Sequence, residues 1–113
     1  MYNRAFYQNK PNSNLANQYV LKEIMDATPQ QLLLKVYNFA IVNCLKHDMV
    51  KTNNALQELI NALRYEPDEV KEFSIGLLKL YRFCQDQMRA RNYDIVHKIL
   101  VELRDSWAEA FKK

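Results

Sequence analysis

Few side chains in this 113-residue chain have the chemistry for catalysis: two histidines (His47, His97) and two cysteines (Cys44, Cys84), with one glycine, Gly76. A di-metal site in a helical protein needs inward carboxylates and Glu-x-x-His pairs on facing helices. Neither histidine follows a glutamate by three positions, and Asp94 to His97, the nearest spacing, stands alone. No metal ligands are assigned. His97 is the one candidate phosphoacceptor, since phosphotransfer modules are also helical bundles. Lys98, Ile99 and Leu100 follow it, however, without the glycine that lets a partner approach closely. Nucleophilic catalysis needs a thiol activated by a neighbouring base, and both cysteines lie in apolar periodic segments away from either histidine. In a reducing compartment such thiols behave as small hydrophobes and stay unpaired. One glycine inside a helical pattern cannot build a phosphate-cradling loop. The residues point away from an enzyme and imply no cofactor.

The elements that would position these side chains follow from composition and punctuation. With 49% hydrophobic and 26% charged residues, the chain can fill one core. One glycine and three prolines are too few for the turns of an all-β fold. The expected class is all-α. Thr28-Pro29-Gln30-Gln31 reads as a helix start, with Thr28 as N-cap, Pro29 in the first turn and Gln31 closing a capping box. That first long helix runs to about His47. Asp48 caps a second, roughly Met49 to Arg64. Pro67, Asp68 and Glu69 open a third that reaches about Arg91, and Asp94 caps a fourth ending near Phe111. Four long helices on short connections make an antiparallel four-helix bundle. Residues 1–16 are polar and read as a flexible extension, carrying Tyr2, Phe6 and Tyr7, with residues 17–113 as the bundle domain. A short helix is expected between Leu15 and Met25.

The net charge of +3 is uneven. Lys79 to Lys113 holds eight basic against five acidic residues, whereas Gln30 to Leu78 holds five against six. No run is dense enough for a nucleic-acid arm. The longest apolar run, Phe39 to Val42, is far too short to span a bilayer, and the N-terminus lacks an apolar signal region, so a cytoplasmic protein without membrane insertion is expected.

Helical periodicity gives ordinary core stripes on the second helix (Leu56, Leu59, Ile60, Leu63), the third (Val70, Phe73, Leu77, Leu80, Tyr81, Cys84, Met88) and the fourth (Val96, Ile99, Leu100, Leu103, Trp107, Ala110). The first helix is apolar on too many sides. Beyond its core face of Leu33, Val36, Tyr37, Ala40, Ile41, Cys44 and Leu45, it carries Leu32, Phe39 and Val42 among Lys35, Asn43 and Lys46. On the third helix Ile75 and Leu78 fall beside Lys71, Lys79 and Arg82. Periodicity alone leaves two readings open: a central helix covered by the N-terminal arm, or surfaces that receive an amphipathic partner segment.

The run from Asn17 through Tyr19, Ile24 and Thr28-Pro29 to Leu32-Leu33-Leu34-Lys35-Val36-Tyr37-Asn38 resembles the N-terminal signature of the flagellar export chaperone FliS family: a Tyr, a small-Ser/Thr-Pro helix start, a Leu pair and a Leu-Tyr-Asp/Asn element. Leu103-Arg104-Asp105-Ser106-Trp107 is similar to its closing Leu-Arg-Asp-x-Trp. Leu80-Tyr81 and Arg91-Asn92-Tyr93-Asp94 fall in fitting places, so the resemblance covers about Asn17 to Phe111. Phe39 departs from the family's usual Gly, and Glu66-Pro67-Asp68-Glu69 from its Gly-Gly-Glu. The resemblance implies a non-catalytic chaperone that binds the disordered C-terminal segment of flagellin, prevents premature polymerisation and delivers the client to the cytoplasmic domain of the export gate. It favours Leu32, Phe39, Val42, Ile75 and Leu78 as the client-binding groove. Tyr19 and Ile24 become part of an N-terminal cap that contacts the export gate. Self-association of the client-free protein through the same surfaces stays open, and a helical signalling module working through His97 or the basic C-terminal third is the alternative function.

Overall fold

In the computed structural model, residues 18, 19, 21, 22 and 27–112 are described, and the chain falls into two units, Met1–Leu32 and Leu33–Lys113. The boundary read from the sequence, after residue 16, lies within the first unit. Four helices follow in order: α1 (Pro29–Leu45), α2 (Met49–Asn61), α3 (Asp68–Arg89) and α4 (Tyr93–Phe111). The described residues contain no strand, and the arrangement is an all-α four-helix bundle. Gln18, Tyr19, Leu21 and Lys22 are helical, in the stretch where a short helix is expected.

Local chemistry sets where the helices begin. Ahead of α1 the Thr28 amide donates to Gln31 Oε1 at 2.8 Å while the Gln31 amide donates to Thr28 Oγ1 at 3.1 Å, a reciprocal capping box. Asp48 caps α2 by accepting from the Lys51 amide at 3.0 Å. At α3, Pro67 stands in extended conformation at the N-cap, and Asp68 and Glu69 place negative charge against the positive end of the helix. The expected cap of α4 is corrected: Asn92 holds the N-cap position and Asp94 sits inside the first turn. The side chain of Asn92 does not cap, because its amide donates to Gln87 Oε1 at 2.7 Å across the turn.

The two tight turns at one end of the bundle close without glycine. His47 (φ 60°) and Arg91 (φ 64°) take the left-handed conformation just past α1 and α3. In both, an amide reaches back five residues to a helical carbonyl, Asp48 to Asn43 and Asn92 to Gln87, each at 2.9 Å. This is the Schellman arrangement, held here by side chains that carry a steric cost glycine would avoid. The helices therefore stop two residues short of the expected His47 and Arg91.

Pairings fix the up-down-up-down course. Asn53 near the start of α2 bonds Gln85 near the end of α3, whereas Ser74 near the start of α3 reaches the Arg64 carbonyl just beyond α2. Phe73 meets Trp107, and Asn38 meets Arg104, so α4 runs against both α3 and α1. The core joins Tyr37, Ala40, Ile41 and Cys44 of α1, Ala55, Leu56 and Leu59 of α2, Leu77, Tyr81, Cys84 and Met88 of α3, and Val96 and Leu100 of α4.

Several expected core residues lie outside it. Leu45 is exposed, because it sits at the edge of the α1 core face and the chain turns away immediately after it. Val70 and Phe73 are exposed because α2 ends at Asn61 rather than near Arg64, and the irregular segment beyond it meets α3 at Ser74 without covering them. Ala110, in the last turn of α4, is exposed as well.

Gly76 lies in mid-α3, and a Cβ built there meets nothing within 4 Å. Gly76→Ala should raise stability by about 0.5–1 kcal/mol, by removing the excess backbone freedom of the unfolded chain at no steric cost. Thermal or urea unfolding checks this, and a lower midpoint would refute it.

Candidate functional site

The surfaces picked out by periodicity occupy distinct places. On α1, Phe39 (50% exposed) and Val42 (48%) project from the side opposite Tyr37 and Cys44. Ile75 and Leu78 are half-buried on α3, on the flank shared with Ser74 and Gln85, the side chains that bond the α2 segment. α1 and α3 meet across the core through Tyr37 and Tyr81. The bundle thus carries two apolar strips on different helices. Leu32, in the first unit, is exposed. Tyr19 is 74% exposed, and Ile24 lies outside the described residues.

The structure adds an apolar cleft of about 540 Å³ at the end of the bundle where α3 begins, lined by Leu33, Leu63, Val70, Phe73, Leu77 and Trp107 among others. Phe73 is 59% exposed at its rim and meets Trp107 edge-on, with centroids 6.1 Å apart; Trp107 stacks in turn on Phe111 at 5.7 Å. Periodicity missed this cleft because Val70 and Phe73 fall on the core line of α3, and only the early end of α2 uncovers them. A second, more polar cleft of about 610 Å³ lies at the opposite end, between His47, Phe83, Arg91, Tyr93 and Ile95. There the His47 ring stacks on Tyr93, 4.0 Å apart and nearly parallel.

Beneath the apolar cleft, three aromatic side chains from three helices share a hydrogen-bonded chain. Trp107 Nε1 donates to Tyr37 Oη at 3.1 Å, and Tyr37 and Tyr81 share a hydroxyl hydrogen bond of 2.5 Å. Between α2 and α3, Asn53 Nδ2 donates to the Gln85 carbonyl at 3.1 Å and Gln85 Nε2 donates to the Asn53 carbonyl at 3.2 Å. The buried Thr52 hydroxyl and Asn53 Oδ1 make no hydrogen bond among the described residues, a desolvation cost that packing must outweigh.

Burial holds two thiols and two phenols in their protonated forms. Burial pushes the Cys84 thiol up to about 12 and raises Cys44, whose thiol donates to the Tyr93 carbonyl at 3.4 Å. Burial also raises the phenols of Tyr37 and Tyr81. A thiol kept protonated is a poor nucleophile. His97 is half-buried on α4, and His47 is engaged with Tyr93. Among the described residues no group of three or more His, Cys, Asp or Glu is placed to hold a metal ion, and no helix is long and apolar enough to cross a membrane.

Compared with protein-family models, with curated proteins and with solved structures, the chain matches none.

Two outcomes follow. Tyr37→Phe leaves the Trp107 indole N–H and the Tyr81 hydroxyl without their shared partner, and should cost about 1–3 kcal/mol. Chemical denaturation followed by fluorescence of the single tryptophan reads it, and an unchanged midpoint would show that the network adds no net stability. Alkali acts through the raised groups. The folded protein keeps protons that the unfolded chain releases, so the stability from Cys84 is whole below its ordinary 9.0 and is lost as pH rises toward about 12. The phenols add to this above 10.0. Unfolding midpoints should fall progressively above pH 9.0, and a flat profile would contradict the burial of these groups.

Proposed function

We propose that this protein is a cytoplasmic export chaperone that takes up the disordered C-terminal segment of flagellin, keeps it from polymerising and carries it to the cytoplasmic domain of the export gate. The observation that carries the reading is the outer side of α1, where Phe39 and Val42 stand about half exposed although the same helix already supplies Tyr37, Ala40, Ile41 and Cys44 to the core. Exposed large side chains on a helix that has met its packing needs mark an interaction surface. Their separation from Ile75 and Leu78 suits a client that wraps the bundle in several pieces rather than one that fills a single pocket. The motif order from Tyr19 to Trp107 that resembles the flagellin chaperones supplies the identity of the client. Inert thiols and engaged or half-buried histidines accord with a role in binding rather than catalysis.

Calorimetric titration with a peptide of about 40 residues from the C-terminus of flagellin of the same source tests this. The expected result is one-to-one binding with a strongly negative heat-capacity change, the mark of apolar burial. Phe39→Asp together with Val42→Asp should weaken it at least about tenfold, by removing apolar contact area without touching the core. Unchanged helicity in circular dichroism secures the comparison. Absence of binding by the folded wild-type protein would sink the chaperone reading and leave the regulatory helical module, for which phosphorylation of His97 is the direct assay.

A further inference from the structure

The apolar cleft at the start of α3 leaves large side chains uncovered beside negative charge. Phe73 is 59% exposed at its rim, Val70 is exposed next to it, and Trp107 is half-buried in its wall. Between Arg64 and Phe73 the chain holds four carboxylates (Glu66, Asp68, Glu69, Glu72) and two cations (Arg64, Lys71), all of them exposed, although the chain as a whole is +3. Position round α3 sorts these charges. At 3.6 residues per turn, Glu69 lies about 40° from Phe73 and Glu72 about 100°, whereas Asp68 and Lys71 lie about 140° and 160° away, on the far side of the helix. Arg64 and Glu66 both line the cleft and offset each other. On α4, Arg104 is engaged by Asp105 and Asn38, and Lys112 by Glu109. The charge left beside Phe73 is therefore that of Glu69 and Glu72, neither of which makes an ion pair among the described residues. Glu69 complements the positive end of the helix, but Glu72 lies past the first turn, where the macrodipole no longer accounts for it.

We infer that this cleft docks a partner protein through a short segment that carries large apolar side chains flanked by lysine or arginine. An exposed apolar patch edged by polar groups marks an interaction site, and exposed aromatic rings at its centre are the usual anchors of binding. Charge complementarity selects the occupant. Glu69 and Glu72 oppose an acidic segment, give a neutral one only its apolar contacts, and attract a basic one. Aromatic rings at one end of a bundle also suit a membrane surface, but an anionic bilayer repels the carboxylates beside Phe73. Neither Phe39 nor Val42 lines this cleft, so the inference stands apart from whatever the outer side of α1 binds.

The test uses the full-length protein and two short synthetic peptides. Each has two phenylalanines at its centre, flanked on both sides by lysines in one peptide and by glutamates in the other. Trp107, the single tryptophan, lies in the cleft wall and reports occupancy by its emission. The Lys-flanked peptide should bind one-to-one, at least about tenfold tighter than the Glu-flanked one. That gap should close at about 0.5 M salt. Glu69→Gln together with Glu72→Gln should remove most of it at low salt. Phe73→Ser should weaken the Lys-flanked peptide at least about tenfold, whereas Phe39→Asp with Val42→Asp should leave its binding unchanged. All five positions are exposed, and circular dichroism secures the comparison. Equal affinity for the two peptides, or no binding of either, would overturn the proposal. So would three other occupants: a second copy, shown by dimerisation that Phe73→Ser abolishes; residues 1–16 of this chain, shown by a peptide of that sequence binding tighter than the Lys-flanked one; or a membrane, shown by binding of phosphatidylglycerol vesicles without the peptide.

Discussion

The separation of α1 from α3 is governed by the short hydrogen bond between the hydroxyls of Tyr37 and Tyr81, with Trp107 donating to the first of them. Three helices thereby put their bulkiest core side chains at one point. Buried polar tips are costly unless they are paired, so the three rings are confined to an arrangement in which the indole N–H and both hydroxyl oxygens take part in a hydrogen bond. The two phenol rings lie tilted against each other with centroids 6.5 Å apart, filling the space between α1 and α3 at this level. Smaller residues then fill the space toward the turn end, where Cys44, Cys84, Val96 and Leu100 are fully buried.

The geometry of the surface follows from this central constraint. With Tyr37 fixed inward, the helical repeat of α1 leaves Phe39 and Val42 facing away from the core. With Tyr81 fixed inward, Ile75 and Leu78 fall on the α2 flank of α3. The same aromatic chain forms the floor of the apolar cleft, whose wall and rim come from Phe73 and Val70. The proposed role of holding a disordered segment calls for surfaces of this kind, apolar enough to repay the ordering of a client and dispersed enough for release. The core beneath must meanwhile be rigid enough that exposure does not become collapse. The reciprocal amide bonds between Asn53 and Gln85 serve that end, because they fix the register of α2 on α3, which apolar contact alone would leave free to slide.

Features set within a few residues were legible in the amino-acid order. The capping box at Thr28 and Gln31, the Asp48 cap and the acidic first turn after Pro67 each depend on groups at most four positions apart, and each forms as the local chemistry requires. The core stripes of α2, α3 and α4 followed from the helical repeat, which also marked Phe39 and Val42 as surplus to packing. One glycine and three prolines, too few for the turns of an all-β fold, pointed to the all-α class.

Where each helix stops, and hence which hydrophobes stay uncovered, was decided only by the tertiary structure. Val70, Phe73 and Leu45 have the periodicity of core residues and are exposed because their neighbours end or turn away, a fact about other segments of the chain. His47 and Arg91 take left-handed conformations that sequence statistics assign to glycine, since the Asp48 and Asn92 amides on the far side of each turn supply the closing bonds. The Tyr37–Tyr81 and Trp107–Tyr37 bonds join residues 44 and 70 positions apart, a pairing that no local pattern contains. Asn53 and Gln85 are polar yet buried, because each satisfies the other's backbone across the α2–α3 seam. The sequence by itself determined the helices, their caps and the excess of apolar side chains. Three-dimensional packing determined which of those side chains the surface keeps, because burial depends on neighbours distant in the chain.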